Sequence, residues 1–257
     1  MSRYAELCTT TNFSFLRGAS HGSELVMRAG ELGLAAIGIA DRNTLAGVVR
    51  AHVAAREAGL RLLVGARLVP RDGPEIITYP TDRAAYGRLS RLLSEGKMRA
   101  VKGDCDLTLD GILNASEGQI LIVVPPEAPS ADFPGVLARI AGVAPGRTYL
   151  AARYAYAGRN RERLARLQAL GDQAGAPIIA TNDVLYHVPD RRPLQDVLTC
   201  IREHRTLETA GFLLEANGER HLKDAGEMAR LFRGFEPALT RTLNRRAVPV
   251  QPGRAGI

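Results

Sequence analysis

Seven short β-rich runs, each bounded by Gly, Pro, Asp or Asn, alternate with amphipathic stretches over about the first 180 residues, and this alternation points to an α/β fold. The runs lie at 4–10, 36–40, 60–69, 75–79, 119–124, 148–152 and 177–181. Helical patterns at 23–32, 45–58, 82–96, 133–141 and 160–174 occupy most of the intervals. In the last of these, Leu164, Leu167, Ala169 and Leu170 fall near one face, while Arg159, Arg161, Arg163 and Arg166 populate the others as a solvated surface. Seven such units suit a closed or nearly closed barrel, with a doubly wound open sheet as the alternative. A dinucleotide-binding open sheet is disfavoured because no GxGxxG follows the first run. The glycines in Leu32-Gly33-Leu34 and Ile37-Gly38-Ile39 lack that spacing, and there is no GxxxxGK[ST].

The alternation stops at Pro189. Residues 4–188 therefore read as the barrel, and 189–239 as a helical appendage with helical patterns near 194–202 and 224–232 and an irregular stretch between them. Residues 240–257 carry Arg241, Arg245, Arg246 and Arg254 without an acid and read as a basic, disordered tail. At 257 residues, 46% hydrophobic and 24% charged, the chain can bury a substantial core, and neither a disordered nor a collagen-like chain fits. Its longest apolar run, 120–124, falls far short of the roughly 18 residues of a membrane span. The start MSRYAELCTT lacks the basic-then-apolar order of a secretion signal, so a cytoplasmic protein with no membrane partner is expected. Cys8, Cys105 and Cys200 form no CxxC pair and are expected to be reduced thiols. The net charge of +7 is almost all arginine, since Lys97, Lys102 and Lys223 are the only lysines. Such a surface suits phosphate or nucleic-acid partners, yet a field this modest serves solubility equally well.

In an α/β barrel the chemistry lies at the C-terminal ends of the strands. The first run ends in Glu6-Leu7-Cys8-Thr9-Thr10, and strand alternation puts Glu6, Cys8 and Thr10 on one face. The second ends at Asp41-Arg42, the third passes through Gly65-Ala66-Arg67, and the last ends at Asn182-Asp183, followed by Leu185, Tyr186 and His187. This is not the dense histidine and carboxylate cage that holds a catalytic metal. His21, with Ser20 and Ser23, reads as part of a helix-capping turn, His52 as a structural or surface helix residue, and Cys200 as core. His187 reads as structural, with a hydrogen bond into the barrel mouth as the alternative.

The segments YAELCTTTNFSFLRGASHGSELVMRAGELGLAAIGIADRNTLAGVVRAH and PIIATNDVLYHVPDRRPLQDVLTCIREHRTLE, in that order and separation, resemble the N-terminal PHP (polymerase and histidinol phosphatase) domain of bacterial C-family DNA polymerases. The similarity is to the error-prone branch and extends over about residues 3–243. It implies a distorted seven-stranded, TIM-like (β/α)7 barrel. In active PHP domains up to three zinc, manganese or iron ions support phosphoester hydrolysis, and this chain departs from their ligand motifs. The first motif, His-x-His, falls on Cys8 and Thr10; an Asp or His position falls on Arg17; Asp-His becomes Asp41-Arg42. The glutamate ending the third strand is Arg67, and the closing Asp-x-His becomes Asp183-Val184-Leu185.

Thr, Leu and guanidinium are not metal ligands here, so no metal is expected beyond weak remnants of a site at Asp183, Asp41 and Cys8. Arg17, Arg42 and Arg67 are expected to converge on the mouth, supply positive charge there, and pair with Asp41, Asp183 and Glu6. The resemblance implies a catalytically inactive structural or interaction domain of an error-prone polymerase engaged in damage-associated synthesis. Its partners would be the remaining polymerase domains and, through the whole enzyme, DNA. Magnesium would belong only to a polymerase palm, which this chain does not encode. Two other readings are a metal-dependent phosphoesterase or 3′-5′ exonuclease using zinc or manganese, and an arginine-rich nucleic-acid-binding module.

Overall fold

Five of the strands are buried along their whole length, which is why they read as continuous apolar blocks rather than as strict alternations. The computed structural model describes residues 3–243. Its elements are β1 (Ala5–Thr9), α1 (Gly22–Glu31), β2 (Ala36–Arg42), α2 (Val48–Glu57), β3 (Leu62–Leu68), β4 (Ile76–Pro80), α3 (Arg83–Arg99), α4 (Leu109–Asn114) and β5 (Gln119–Val123). There follow α5 (Phe133–Val143), β6 (Thr148–Ala152), α6 (Asn160–Ala174), β7 (Ile178–Ala180), α7 (Arg192–Arg202), α8 (Leu207–Ala210), α9 (Ala225–Leu231) and α10 (Glu236–Arg241). The strands form one curled sheet in the order β1 to β7. Its two edges meet only beyond β7, where the Thr10 amide donates to the Val184 carbonyl (2.9 Å) and the Val184 amide donates to the Cys8 carbonyl (2.7 Å).

The ladder is parallel except at β4, which runs antiparallel to both β3 and β5. The uniform strand–helix repeat implied by a (β/α)7 barrel breaks here for a reason of length. A parallel crossover needs about a dozen residues, whereas 69–75, with two prolines and a glycine, allow only a hairpin. The helices α4, α8 and α10 have six residues or fewer, less than two turns, too short for a hydrophobic period to register. None of the helices among the described residues is long and apolar enough to cross a membrane.

Two apolar layers hold the fold. One lies between the sheet and its helices and contains Leu25, Ile37, Leu137 and Phe232; the other fills the barrel interior with Leu7, Leu63, Ile77, Ile120 and Tyr79. Tyr79 spans that interior. A Cβ placed on Gly38 of β2 would come within 2.2 Å of its hydroxyl, and one on Gly65 of β3 within 2.5 Å of its ring. The phenol therefore lies across two positions where any side chain would collide with it. Its hydroxyl donates to the Leu7 carbonyl (2.7 Å), within the stretch of β1 where the register with β2 shifts. The first residues of the segment read as a tail belong to the fold: the Thr242 hydroxyl accepts from the Ala5 amide (3.3 Å), and Arg241 donates to the Ile178 carbonyl (3.0 Å). The remainder of that segment, 244–257, lies outside the described residues.

Gly38→Ala should destabilise the protein by about 1–3 kcal/mol through overpacking. Combined with Tyr79→Ala, it should cost less than the sum of the two single changes, because the clash partner is gone. Urea denaturation of the four proteins of this cycle checks it; strict additivity would show that Tyr79 and Gly38 do not share the space.

Candidate functional site

The C-terminal ends of the strands open onto a hollow of about 490 Å³ lined by seven arginines and four carboxylates. Of the residues singled out in the sequence, Cys8, Thr10, Arg17, Arg42, Arg67, Asp183 and Leu185 line it, whereas Glu6 and Asp41 do not.

Glu6 is displaced by a bulge. The register between β1 and β2 shifts between Glu6 and Thr9, and Cys8 follows Ala5 and Leu7 into the interior layer. The extra residue changes the phase of the strand, so Glu6 does not share a face with Cys8 and Thr10. Among the described residues its buried carboxylate pairs with no arginine; it accepts from the Tyr4 hydroxyl (2.8 Å), the Cys8 amide (2.8 Å), the Thr181 hydroxyl (2.6 Å) and the Asn182 amide (2.8 Å). Burial raises its pKa, and these four donors oppose the rise. Glu6 thus stitches β1 to the end of β7.

Asp41 also departs from the expected ion pairing. Its two oxygens accept from the Thr11 amide and hydroxyl (both 2.8 Å) and from the Ser14 hydroxyl (2.7 Å), whose oxygen in turn accepts from the Arg42 amide (2.9 Å). Burial raises its pKa against these bonds. The carboxylate pins the loop after β1 onto the end of β2. A side chain at Gly47 would strike it, since a Cβ there would lie 2.2 Å from Oδ2.

Asp183 is the acid that meets the arginines. It adopts a left-handed backbone (φ 49°), a conformation Asp tolerates better than most residues. One carboxylate oxygen pairs with Arg67 and the other with Arg220 Nη2 (2.5 Å), while Arg220 Nε donates to the Asp183 carbonyl (2.8 Å). The side chains of Arg67 and Asp183 retain only 11% and 16% exposure, so solvent screens the pair weakly. Burial alone would raise the Asp183 carboxyl, but Arg220, Arg67 and Arg153 outweigh it and hold the group well below the ordinary aspartate range. Arg67 also approaches Glu75 (3.4 Å), which Arg42 contacts at 2.5 Å, and Arg220 pairs with Glu215, which lies 3.9 Å from Arg153. A row of alternating charge thus crosses the mouth.

Arg17 stands apart from this row. It is half-buried; its amide donates to the Ser14 carbonyl (2.9 Å), and its guanidinium has no hydrogen bond or ion pair among the described residues. Burial lowers its pKa to about 10, and the neighbouring Arg42 and Arg202 add to the effect. The Cys8 thiol is pushed well up by burial and then by Glu6 and Asp183, which leaves it a poor thiolate. Among the described residues no three His, Cys, Asp or Glu side chains are grouped to hold a metal ion.

The histidines stay out of the hollow. His21 caps α1, with its amide donating to Glu24 (2.8 Å); His187 turns its Nδ1 to Ser20 Oγ (2.7 Å); His52 sits exposed on α2. Cys200 is buried. Sequence reasoning missed Glu75, Arg153, Glu215 and Arg220. Glu75 would have been found by recognising 69–75 as a hairpin, because it then falls beside the strand carrying Arg67. Arg220 and Glu215 come from the irregular stretch after α8. That stretch is held to the mouth by Asn182, whose Nδ2 donates to the carbonyls of Glu219 and His221 (both 2.6 Å), and it offers no periodic signal.

The PHP domain model matches residues 6–157. The chain is 58% identical over 241 residues to the error-prone DNA polymerase of Caulobacter vibrioides, covering 93% of this chain and 22% of that protein. It is 52% identical over 248 residues to the error-prone DNA polymerase of Brucella abortus biovar 1, covering 94% and 23%. The chain thus spans under a quarter of the length of these relatives. Among solved structures it is similar to one described as a metal-dependent phosphoesterase from Bifidobacterium adolescentis (TM-score 0.55, 16% identity, 71% of this chain and 88% of that one). Another is an amidohydrolase from Chromobacterium violaceum (TM-score 0.52, 14% identity, 69% and 85%). At such identities the likeness is one of fold.

Arg67→Met should destabilise the protein by about 3 kcal/mol at neutral pH, because it removes one of the two cations on a nearly buried carboxylate. The stabilisation from a depressed carboxyl pKa is fully present above the unfolded value of about 4 and is lost as pH falls toward the native value. The stability gap between wild type and variant should therefore narrow as pH drops below about 4. Denaturant titrations across that range test this; a gap independent of pH would detach Arg67 from the ionisation of Asp183.

Proposed function

From the premise that the chain belongs to the PHP domain family and matches the N-terminal quarter of error-prone DNA polymerases, we propose that it serves such a polymerase as a metal-free structural and docking domain. The observation carrying this reading is Asp183 clasped between Arg67 and Arg220. The residues at the mouth do not fit the metals of active PHP domains. Both oxygens of Asp183 are taken by guanidiniums, the Cys8 thiol is held protonated by burial, and Thr10, Arg42, Arg67 and Leu185 stand where ligands would be needed. In place of a metal, fixed side-chain cations neutralise the remaining acids and hold the strand ends together. The polymerase reaction, its magnesium and its DNA contacts would belong to the rest of the longer protein, and the damage-associated role would be that of the whole enzyme.

A docking role is supported by α7. Leu194 and Val197 are each 40% exposed and Ile201 is 53% exposed, and their spacing of three and four residues places them along one helical face. Phe212, fully exposed in the turn after α8, extends the apolar surface. The proposed occupant is the remaining body of the polymerase, since relatives of this chain are more than four times as long as the segment it matches.

Two measurements test this reading. Metal analysis of the purified protein should find well under one ion per chain, and phosphoester hydrolysis with added manganese or zinc should match that of Asp183→Ala. A stoichiometric bound ion, or turnover abolished by Asp183→Ala, would favour the phosphoesterase or exonuclease reading. For docking, Val197→Ser combined with Ile201→Ser should leave the melting temperature unchanged. It should weaken association with the separately supplied remainder of the polymerase by about tenfold or more. Undiminished association would remove α7 from the interface.

A further inference from the structure

The row of charge across the mouth begins and ends with arginine. It runs Arg42, Glu75, Arg67, Asp183, Arg220, Glu215, Arg153, each in contact with the next. Every acid in the row is shared between two cations, so positive charge is left over at both ends. Beyond the Arg42 end lie Arg17, whose guanidinium has no partner among the described residues, and Arg202, which pairs with the exposed Glu203 (2.8 Å). Beyond the other end lies Arg163; there Arg153 has only a 3.9 Å approach to a carboxylate already engaged by Arg220. The two ends are separated by the five intervening residues of the row. Arg17 is disfavoured by burial and then by Arg42 and Arg202, while Arg153 is disfavoured by burial and then by Arg220, with Arg163 adding to it. The hollow between them is within the size range of small-molecule sites, and its lining has an excess of three positive charges.

We propose that the mouth binds, without a metal, an elongated polyanion of the oligophosphate class, with one charged end on Arg17 and the other on Arg153 and Arg163. Guanidiniums lacking a carboxylate present paired N–H donors suited to tetrahedral oxyanions, and a concave cationic site concentrates such ions. A two-ended anion matches this arrangement because the two clusters stand at opposite ends of the row. The inference deepens the reading of the mouth as metal-free and describes binding alone, with no covalent step.

The test is calorimetric titration of inorganic tripolyphosphate into the full chain at low salt in the presence of EDTA, with the metal content of the same sample measured. The expected result is saturable one-to-one binding, weakened about tenfold or more in Arg17→Gln and in Arg153→Gln. Both variants should melt no lower than wild type without ligand, because burial disfavours the charge that each removes and neither guanidinium has a carboxylate closer than 3.9 Å among the described residues. Arg166→Gln, on the solvated face of α6, should bind as wild type does. Orthophosphate should bind about tenfold or more weakly than tripolyphosphate. Absence of binding to a metal-free sample overturns the proposal, as does equal affinity for orthophosphate or for the tricarboxylate citrate. Unchanged affinity in both arginine variants does the same. Binding that appears only when manganese is restored would instead count against the metal-free reading of the domain.

Discussion

Arg67 occupies the centre of the mouth, and the arrangement around it follows from the cost of burying its charge. A guanidinium with 11% exposure on an interior-lined strand is tolerable only with carboxylates in contact, and Asp183 and Glu75 meet it at its two different terminal nitrogens. Asp183 comes from the segment that closes the sheet after β7, and Glu75 from the hairpin that reverses the sheet at β4. One side chain therefore couples the two irregular features of the barrel, its seam and its antiparallel strand. Arg220 extends the coupling to the irregular segment beyond α8, since it binds the Asp183 side chain and its carbonyl together. Loss of the central charge would leave Asp183 with a single close cation and Glu75 with Arg42 alone.

Beneath this charged layer the seam is held by neutral donors on an acid. Glu6 collects four hydrogen bonds from both sides of the β1–β7 junction, and it can do so because the bulge turns it away from the mouth. The same bulge brings Cys8 inward and places the Leu7 carbonyl within reach of Tyr79. A single extra residue in β1 thus separates two acids by task. Glu6 fastens strands through N–H and O–H donors, while Asp183 meets full charges. Their pKa values move in opposite directions accordingly, upward where burial prevails and downward where arginines do.

What the sequence disclosed depended on whether the signal was periodic. The strands were visible because their apolar blocks are continuous, and β6 and α6 were bounded as they occur, at Thr148–Ala152 and Asn160–Ala174. The motif positions Arg42, Arg67 and Asp183 could be placed at strand ends because the barrel topology puts strand ends in one place. Glu6 was misplaced because strict alternation has no term for a bulge. Charge alone predicts an arginine partner for Asp41, but the nearer hydroxyls of Thr11 and Ser14, whose geometry depends on a loop, take that place. Arg220 and Glu215 had no signal, since they reach the mouth through backbone bonds to Asn182 rather than through a repeating pattern.

Exchanging metal ligands for arginines changes the chemistry a barrel mouth can perform, not only its occupancy. A bound metal accepts lone pairs, and by accepting one from water it generates a nucleophile near neutral pH. A guanidinium has no vacant orbital; it donates N–H bonds and stays charged wherever the protein is folded. In the proposed metal-free mouth the cations are also tethered, so the charge balance is set by the sequence rather than by the concentration of free ions. Three acids shared along a row of four arginines cannot neutralise it, and the excess falls at the ends, where Arg17 and Arg153 have the weakest claims on a carboxylate. In the proposed metal-free state, such a surface would keep an attraction for anions without a metal's means of activating water.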